Sequence, residues 1–211
     1  MNSMINSNDI SAMSNPMATM AISRVNLCSI CPDGNVHADF LSEWAKVFGE
    51  AFTDLGIDVT YAFNEFDEHA LNVIFGAHLL NPKLISELPK GSVLVNLEQL
   101  EAPSPQINQQ YLSLLREHIV WDYSRKNIEF LRAKLGVSHA SYVPVSTGSC
   151  LKFPLLNNEQ DIDVLFYGSL SPRRRAILSD LDKAGLNVKV LTNVYGEEKN
   201  AYISRAKVIL C

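Results

Sequence analysis

The sequence predicts an α/β protein built from two parallel-sheet units, and three observations carry the prediction. Short apolar runs alternate with amphipathic helical segments from Val25 onward, the alternation breaks between Ser146 and Gln160, and it restarts at Asp161 with a strand, a glycine turn and a capped helix. Strand and helix alternating this regularly imply right-handed βαβ units, with sheets covered on both faces.

The first strand is expected over Val25 to Ile30, followed by the turn cluster Pro32-Asp33-Gly34-Asn35. Phe40, Leu41, Trp44, Val47, Phe48, Ala51 and Leu55 then fall at helical spacing, and Gly56 stops that helix. Asp58 to Phe63 and Leu71 to Phe75 read as strands, Pro82 to Leu88 as a short helix, and Gly91 to Leu97 as a strand with a continuous apolar centre. A helix from about Gln106 to Glu117 leads to a strand at Ile119 to Tyr123, a helix from Lys126 to Leu135 and a strand at Ser141 to Val145.

After residues 146–160, which carry Gly148, Pro154, Asn157 and Asn158 and read as a linker, the order restarts. Val164, Leu165, Phe166 and Tyr167 form the buried strand of the segment opening at Asp161. Ser171 caps the next helix and Pro172 occupies its first turn, while Gly185 ends it. A strand at Asn187 to Leu191, a helix from about Glu197 to Lys207 and a strand at Val208 to Cys211 complete the order. The expected organisation is a tail over residues 1–23, a first domain over 24–145, the linker, and a second domain over 161–211. About 50 residues lie near the lower limit for an independent core, so the second domain is expected to be incomplete.

The tail holds all five methionines with many Ser and Asn residues, a composition expected to be disordered. A net charge of −5 gives no reason to expect nucleic acid or an anionic membrane as partner. No apolar run approaches the roughly 18 residues of a membrane span. The first 23 residues lack the cations and apolar stretch of a secretory signal, so a cytoplasmic protein is expected. Of the four cysteines, Cys28-Ser-Ile-Cys31 has the spacing of a redox or zinc half-site, with Cys150 and Cys211 far along the chain. Tetrahedral zinc needs four ligands and the redox motif needs a helix starting at the pair. Neither is present, so two reduced thiols at a strand end are expected, with no metal.

The densest chemical signal is Gly168-Ser169 followed by Arg173, Arg174 and Arg175 in the first turn of a helix. The helix dipole makes a cation there unfavourable by roughly 0.3–1 kcal/mol. A bound phosphate would offset that cost, since free backbone N–H groups at a glycine turn favour anions. Successive helical residues fan out by about 100°, so one or two of the three arginines can face one ligand. The alternative is a solvated basic turn paired with Asp180 or Asp182.

Two sheet units, a linker after a Val-Pro segment and a glycine-arginine turn resemble the GT-B class of sugar-nucleotide-dependent glycosyltransferases. More narrowly, Asn96-Leu-Glu-Gln99, Trp121-Asp-Tyr-Ser124, Tyr142-Val-Pro-Val145, the segment Asp161 to Ser169 and Val194-Tyr-Gly-Glu-Glu198 look like bacterial family-1-type members. The resemblance covers roughly residues 24–211 and implies two Rossmann-like domains. It implies transfer of a sugar from a nucleotide-sugar donor to a hydroxyl acceptor, with no cofactor or metal. The donor diphosphate would lie at Gly168, Ser169 and Arg173 to Arg175, with Tyr195 and Gly196 near the nucleotide. The acceptor would lie at the carboxyl ends of the first sheet's strands, near Gly34, Asn96 and Gln99. His37 and Glu98 are the candidate bases, although His37 also fits an ordinary helix start. His69, His78, His118 and His139 have no local constellation.

Related enzymes carry further donor-binding residues later in the second domain, so this chain alone is expected to be inactive or nearly so. A non-catalytic nucleotide- or partner-binding remnant is the alternative. A dinucleotide-dependent oxidoreductase ranks last, because no Gly-x-Gly-x-x-Gly follows any strand.

Overall fold

Two separate parallel sheets form the framework, one of six strands and one of three. The structure is a computed structural model and describes residues 22–32, 38–101, 106–144, 146–150, 154–155 and 159–210, with only the backbone of 38–40. The tail expected over 1–23 therefore lies almost wholly outside the described residues, as does the turn holding Gly34 and His37.

The first sheet contains β1 (Arg24–Ser29), β2 (Asp58–Phe63), β3 (Leu71–Phe75), β4 (Val93–Asn96), β5 (Ile119–Asp122) and β6 (Ala140–Tyr142). Their spatial order is β2-β1-β3-β4-β5-β6, and every pairing is parallel. Because side chains alternate, each apolar run feeds two cores. Val25, Leu27, Val73, Phe75, Val93 and Val95 pack on one face, and Cys28, Ile30, Ile74, Leu94 and Val120 on the other. Helix α1 (Ala38–Asp54) covers the first face, where Phe48 meets Phe75 edge-on at 5.4 Å and stacks on Trp121 at 5.9 Å. The second face is filled from α3 (Gln109–Glu117) and α4 (Arg125–Leu135), through Tyr111, Leu114, Leu115, Ile128 and Leu131. A short helix, α2 (Pro82–Glu87), adds Leu84 and Ile85.

Caps set most helix ends. The Asn81 side chain accepts from Leu84 N, and Ser124 does the same for Asn127 N. Helix α3 starts three residues later than its apolar pattern suggests, because Asn108 accepts from Tyr111 N and fixes the first turn there. Gly136 closes α4 with φ 69°, the left-handed conformation that glycine adopts without strain.

The second sheet has the order β8-β7-β9, all parallel, from β7 (Ile162–Tyr167), β8 (Val188–Leu191) and β9 (Ala206–Leu210). Helix α5 (Pro172–Lys183) joins β7 to β8, and α6 (Gly196–Ile203) joins β8 to β9. The helix expected to reach Lys207 stops at Ile203. Its last residues are taken by β9, where Ala206 pairs with Ile162 and its carbonyl accepts from Gln160 Nε2. The core here is small, formed by Ile162, Leu165, Leu191 and Ala206, and Val190, Val208 and Ile209 remain exposed. The described residues between 146 and 160 form neither helix nor strand. Part of that stretch is tied to α1, since Glu50 accepts from the backbone N–H groups of Ser149 and Cys150 and from the Ser149 hydroxyl. These contacts, the Ser149 hydroxyl first, draw the Glu50 carboxyl down to about 2.

Candidate functional site

Parallel sheets place their loops of opposite function at opposite edges, and ligands gather at the carboxyl ends of the strands. A cavity of about 470 Å³ lies where those ends of the two sheets face each other. From the first sheet it takes His78 and Leu79 after β3, Leu97 and Glu98 after β4, and Leu41 and Glu43 from the start of α1. From the second it takes Tyr167, Gly168 and Ser169 at the end of β7, Asn193 to Tyr195 after β8, and Lys199 in α6.

The first wall is held rigidly. Glu98 follows directly on β4, and its backbone is gripped by buried side chains. Its N–H donates to Asn96 Oδ1 at 3.1 Å, and its carbonyl accepts from Asn96 Nδ2 at 3.0 Å and from Asn127 Nδ2 at 2.8 Å. Asn96 is fully buried. It also donates to Asp122 Oδ2 and accepts from the Tyr111 hydroxyl at 2.7 Å. Asp122 accepts further bonds from Ser124 N and Asn127 Nδ2, yet burial still pushes its carboxyl up from the ordinary value. The fold thus spends several buried polar groups on positioning one loop, the pattern expected where a side chain must be held in place.

Glu98 directs a carboxylate oxygen to within 3.5 Å of His78 Nε2. His78 stands on a single helical turn, Ala77–Leu79, entered through Gly76 at φ 80°. A Cβ on Gly76 would come within 2.7 Å of Leu41 Cδ1, which would have to move aside, and the positive φ itself favours glycine there. Burial lowers the His78 pKa and outweighs the pull of Glu98 toward protonation, which favours the neutral imidazole. Such a pair can take up a proton.

The second wall is shaped by the glycine turn and by α6. Gly168 has φ 130°, and Ser169 follows it at the cavity. Lys199 crosses the cleft to Glu43, with Nζ 3.2 Å and 3.5 Å from the two carboxylate oxygens, and its ammonium lies 5.7 Å from the Tyr167 ring centroid.

The sequence-predicted residues divide accordingly. Glu98, Gly168, Ser169 and Tyr195 line the cleft together. Asn96 lies beneath it, its amide committed to Asp122, Tyr111 and Glu98, so it positions the loop rather than facing the cavity. Gln99 and Gly196 are exposed and outside the lining, and His37 and Gly34 fall outside the described residues. The arginines occupy another place. Arg174 donates to the Ser169 carbonyl at 2.7 Å and sits over the Phe166 ring, while Arg175 donates to the Leu170 carbonyl at 3.4 Å. Each bond satisfies a backbone acceptor beside the helix start, and Asp180 pairs with Lys183. Arg173 and Arg174 line a separate pocket of about 410 Å³ with Phe166, Ile177 and Leu210.

His78, Glu43 and Lys199 were not singled out from sequence. The usable signal for His78 was position, since it follows closely on the carboxyl end of β3, whereas Lys199 lies inside α6. Glu43 carried no signal, because an acid in an amphipathic helix is ordinary.

Among the described residues no group of three or more His, Cys, Asp or Glu side chains could hold a metal, and no helix is long and apolar enough to cross a membrane. Among the described residues Cys28 and Cys150 stand in no disulfide, and burial pushes the Cys28 thiol up to about 11.

Comparison with known proteins finds two uncharacterized proteins of Acanthamoeba polyphaga mimivirus. One is 26% identical over 180 residues, covering 82% of this chain and 55% of its own length. The other is 41% identical over 56 residues, covering 26% of this chain and 6% of its own. The chain therefore spans about half the length of the first relative and a small part of the second. No protein family and no solved structure matches. The similarity found is thus to viral proteins of unstated function.

Proposed function

We propose that the cleft between the two sheets serves transfer of a sugar from a nucleotide-sugar donor to a hydroxyl acceptor. One observation carries the reading: a cavity of about 470 Å³ is lined from the carboxyl ends of strands in both parallel sheets, with a proton acceptor on one wall and a cation on the other. A reaction that joins two substrates needs such a divided site. The acceptor hydroxyl would meet His78 and Glu98, and its proton would pass to that pair as its oxygen bonds to the sugar carbon. The bond from that carbon to phosphate would break, and the nucleoside diphosphate would leave with the electron pair. Negative charge growing on the leaving phosphate calls for fixed donors, and the turn at Gly168 and Ser169 is where they would come from.

The assay is calorimetry with UDP and GDP on the 211-residue chain, followed by product analysis with their sugar conjugates. Binding of one nucleoside diphosphate is expected. Failure of both to bind at millimolar concentration would remove the reading. Binding without turnover would favour the alternative, a non-catalytic nucleotide-binding protein.

A further inference from the structure

From the pairing across the cleft we infer that Lys199 is the diphosphate-binding cation of this site and that Glu43 is its stand-in anion, released when the diphosphate arrives. The inference deepens the reading above and rests on it for the identity of the ligand. Four observations lead to it.

First, Lys199 is the lysine or arginine that lines the cavity among the described residues, and it lies on the same wall as Gly168 and Ser169. Second, its side chain is only 16% exposed, so its charge acts in a partly desolvated setting where an anion gains more than it would at the surface. Third, its partner comes from the other sheet's layer, 156 residues away in sequence, so the bond ties the two walls together across the space a ligand would fill. Fourth, Glu43 is 38% exposed and can turn to water at little cost when displaced.

The chemistry favours exchange. A carboxylate offers one charge and two oxygens, whereas a diphosphate offers more of both. Lysine carries its charge on a flexible stem with three donors, suited to changing partners within a short radius. The arginines at the start of α5 are less available. Arg174 is already bonded to the Ser169 carbonyl, and among the described residues the pocket it shares with Arg173 is lined from the second sheet's unit. Removing the Glu43 carboxylate should tighten anion binding, because the ligand would no longer compete with it. Removing the Lys199 ammonium should weaken binding.

The experiment is calorimetric titration of the full chain with inorganic pyrophosphate, UDP and GDP. The variants are Glu43→Gln, Lys199→Gln, Lys199→Arg and the pair Arg173→Gln with Arg174→Gln, each checked for native circular dichroism. Lys199→Gln should weaken pyrophosphate binding at least about tenfold, and Glu43→Gln should tighten it several-fold. Lys199→Arg should restore most of the affinity, which a merely structural role for the stem would not require. Pyrophosphate binding that depends on Lys199 while neither nucleotide binds would support this site and remove the sugar-nucleotide reading. Nucleotide binding unchanged by Lys199→Gln, or lost only with the two arginines, would overturn this inference and leave that reading standing. Absence of pyrophosphate binding to every variant would overturn it as well.

Discussion

Replacing Asn96 by alanine tests whether the buried network is what holds the Glu98 loop. The side chain makes four hydrogen bonds, to Asp122, to the Tyr111 hydroxyl and to both backbone groups of Glu98. The Glu98 groups border the cleft and can find water once released. The other two partners cannot, since the Tyr111 hydroxyl is fully buried and Asp122 is 1% exposed. Stranding a buried polar group costs about 1–3 kcal/mol, more for a charged one, so the two together cost about 4 kcal/mol. That is a large part of a typical domain stability of about 5–15 kcal/mol.

Urea denaturation followed by tryptophan fluorescence reads the effect, because Trp44 and Trp121 both pack on the first sheet. With an m-value of about 2 kcal/mol/M, the midpoint should fall by about 2 M. Tyr111→Phe alone should cost about 1 kcal/mol, the worth of one hydrogen bond. In the double variant the stranded hydroxyl is gone, so the combined loss should be smaller than the sum. A midpoint shift below about 0.5 M for Asn96→Ala would refute the view that this amide organises the site, since it would mean a loss near 1 kcal/mol.

Acidification should weaken the fold through His78 and His118, whose pKa values burial holds below the ordinary 6.5. A lowered folded value means stability fully present above about 6.5 and lost as pH falls through the folded values, and His118→Phe should flatten that slope in pH-dependent melts. Asp122 works in the opposite sense, its raised pKa making stability decline as pH rises above the ordinary 3.8. A disulfide reagent added to the native protein should leave Cys28 unmodified until urea is added, because its buried thiol is pushed up to about 11; rapid native labelling of Cys28 would contradict the burial. Gly76→Ala should cost at least roughly 1–2 kcal/mol in urea melts, from the left-handed conformation alone. The contact with Leu41 adds to this, and an unchanged midpoint would show that the turn carrying His78 can relax.

The fold class was legible because its signals are local. β2 and β3 have the bounds that their composition predicts, and Ser171, Pro172 and Gly185 mark the ends of α5 as capping chemistry requires. Asn108 and Ala206 show where local reading runs out. An apolar pattern continues past a cap in one case, and a strand pairing with β7 overrides helical residues in the other. The cleft was only half legible. Glu98 and the turn at Gly168 and Ser169 stand out by position after strands, but Glu43 and Lys199 acquire meaning only when residues 156 apart are brought within 3.2 Å.

The three arginines show how helix geometry directs a cluster of charge. Long side chains in the first turn of a helix point back toward its N-terminus. Here that direction leads Arg174 and Arg175 onto the carbonyls of Ser169 and Leu170, which are the acceptors closest to hand. Strand order then decides which ligand space they could serve. β7 is central, with one crevice toward β9, lined by Arg173 and Arg174, and another toward β8, opening on the first sheet. The β9 side is where the strand order reverses, the usual place for a ligand in a single α/β sheet. Among the described residues it is nevertheless lined from the second sheet's unit. The proposed transfer between two bound partners would need a space that both units border, and His78, Glu98 and Lys199 line one such space.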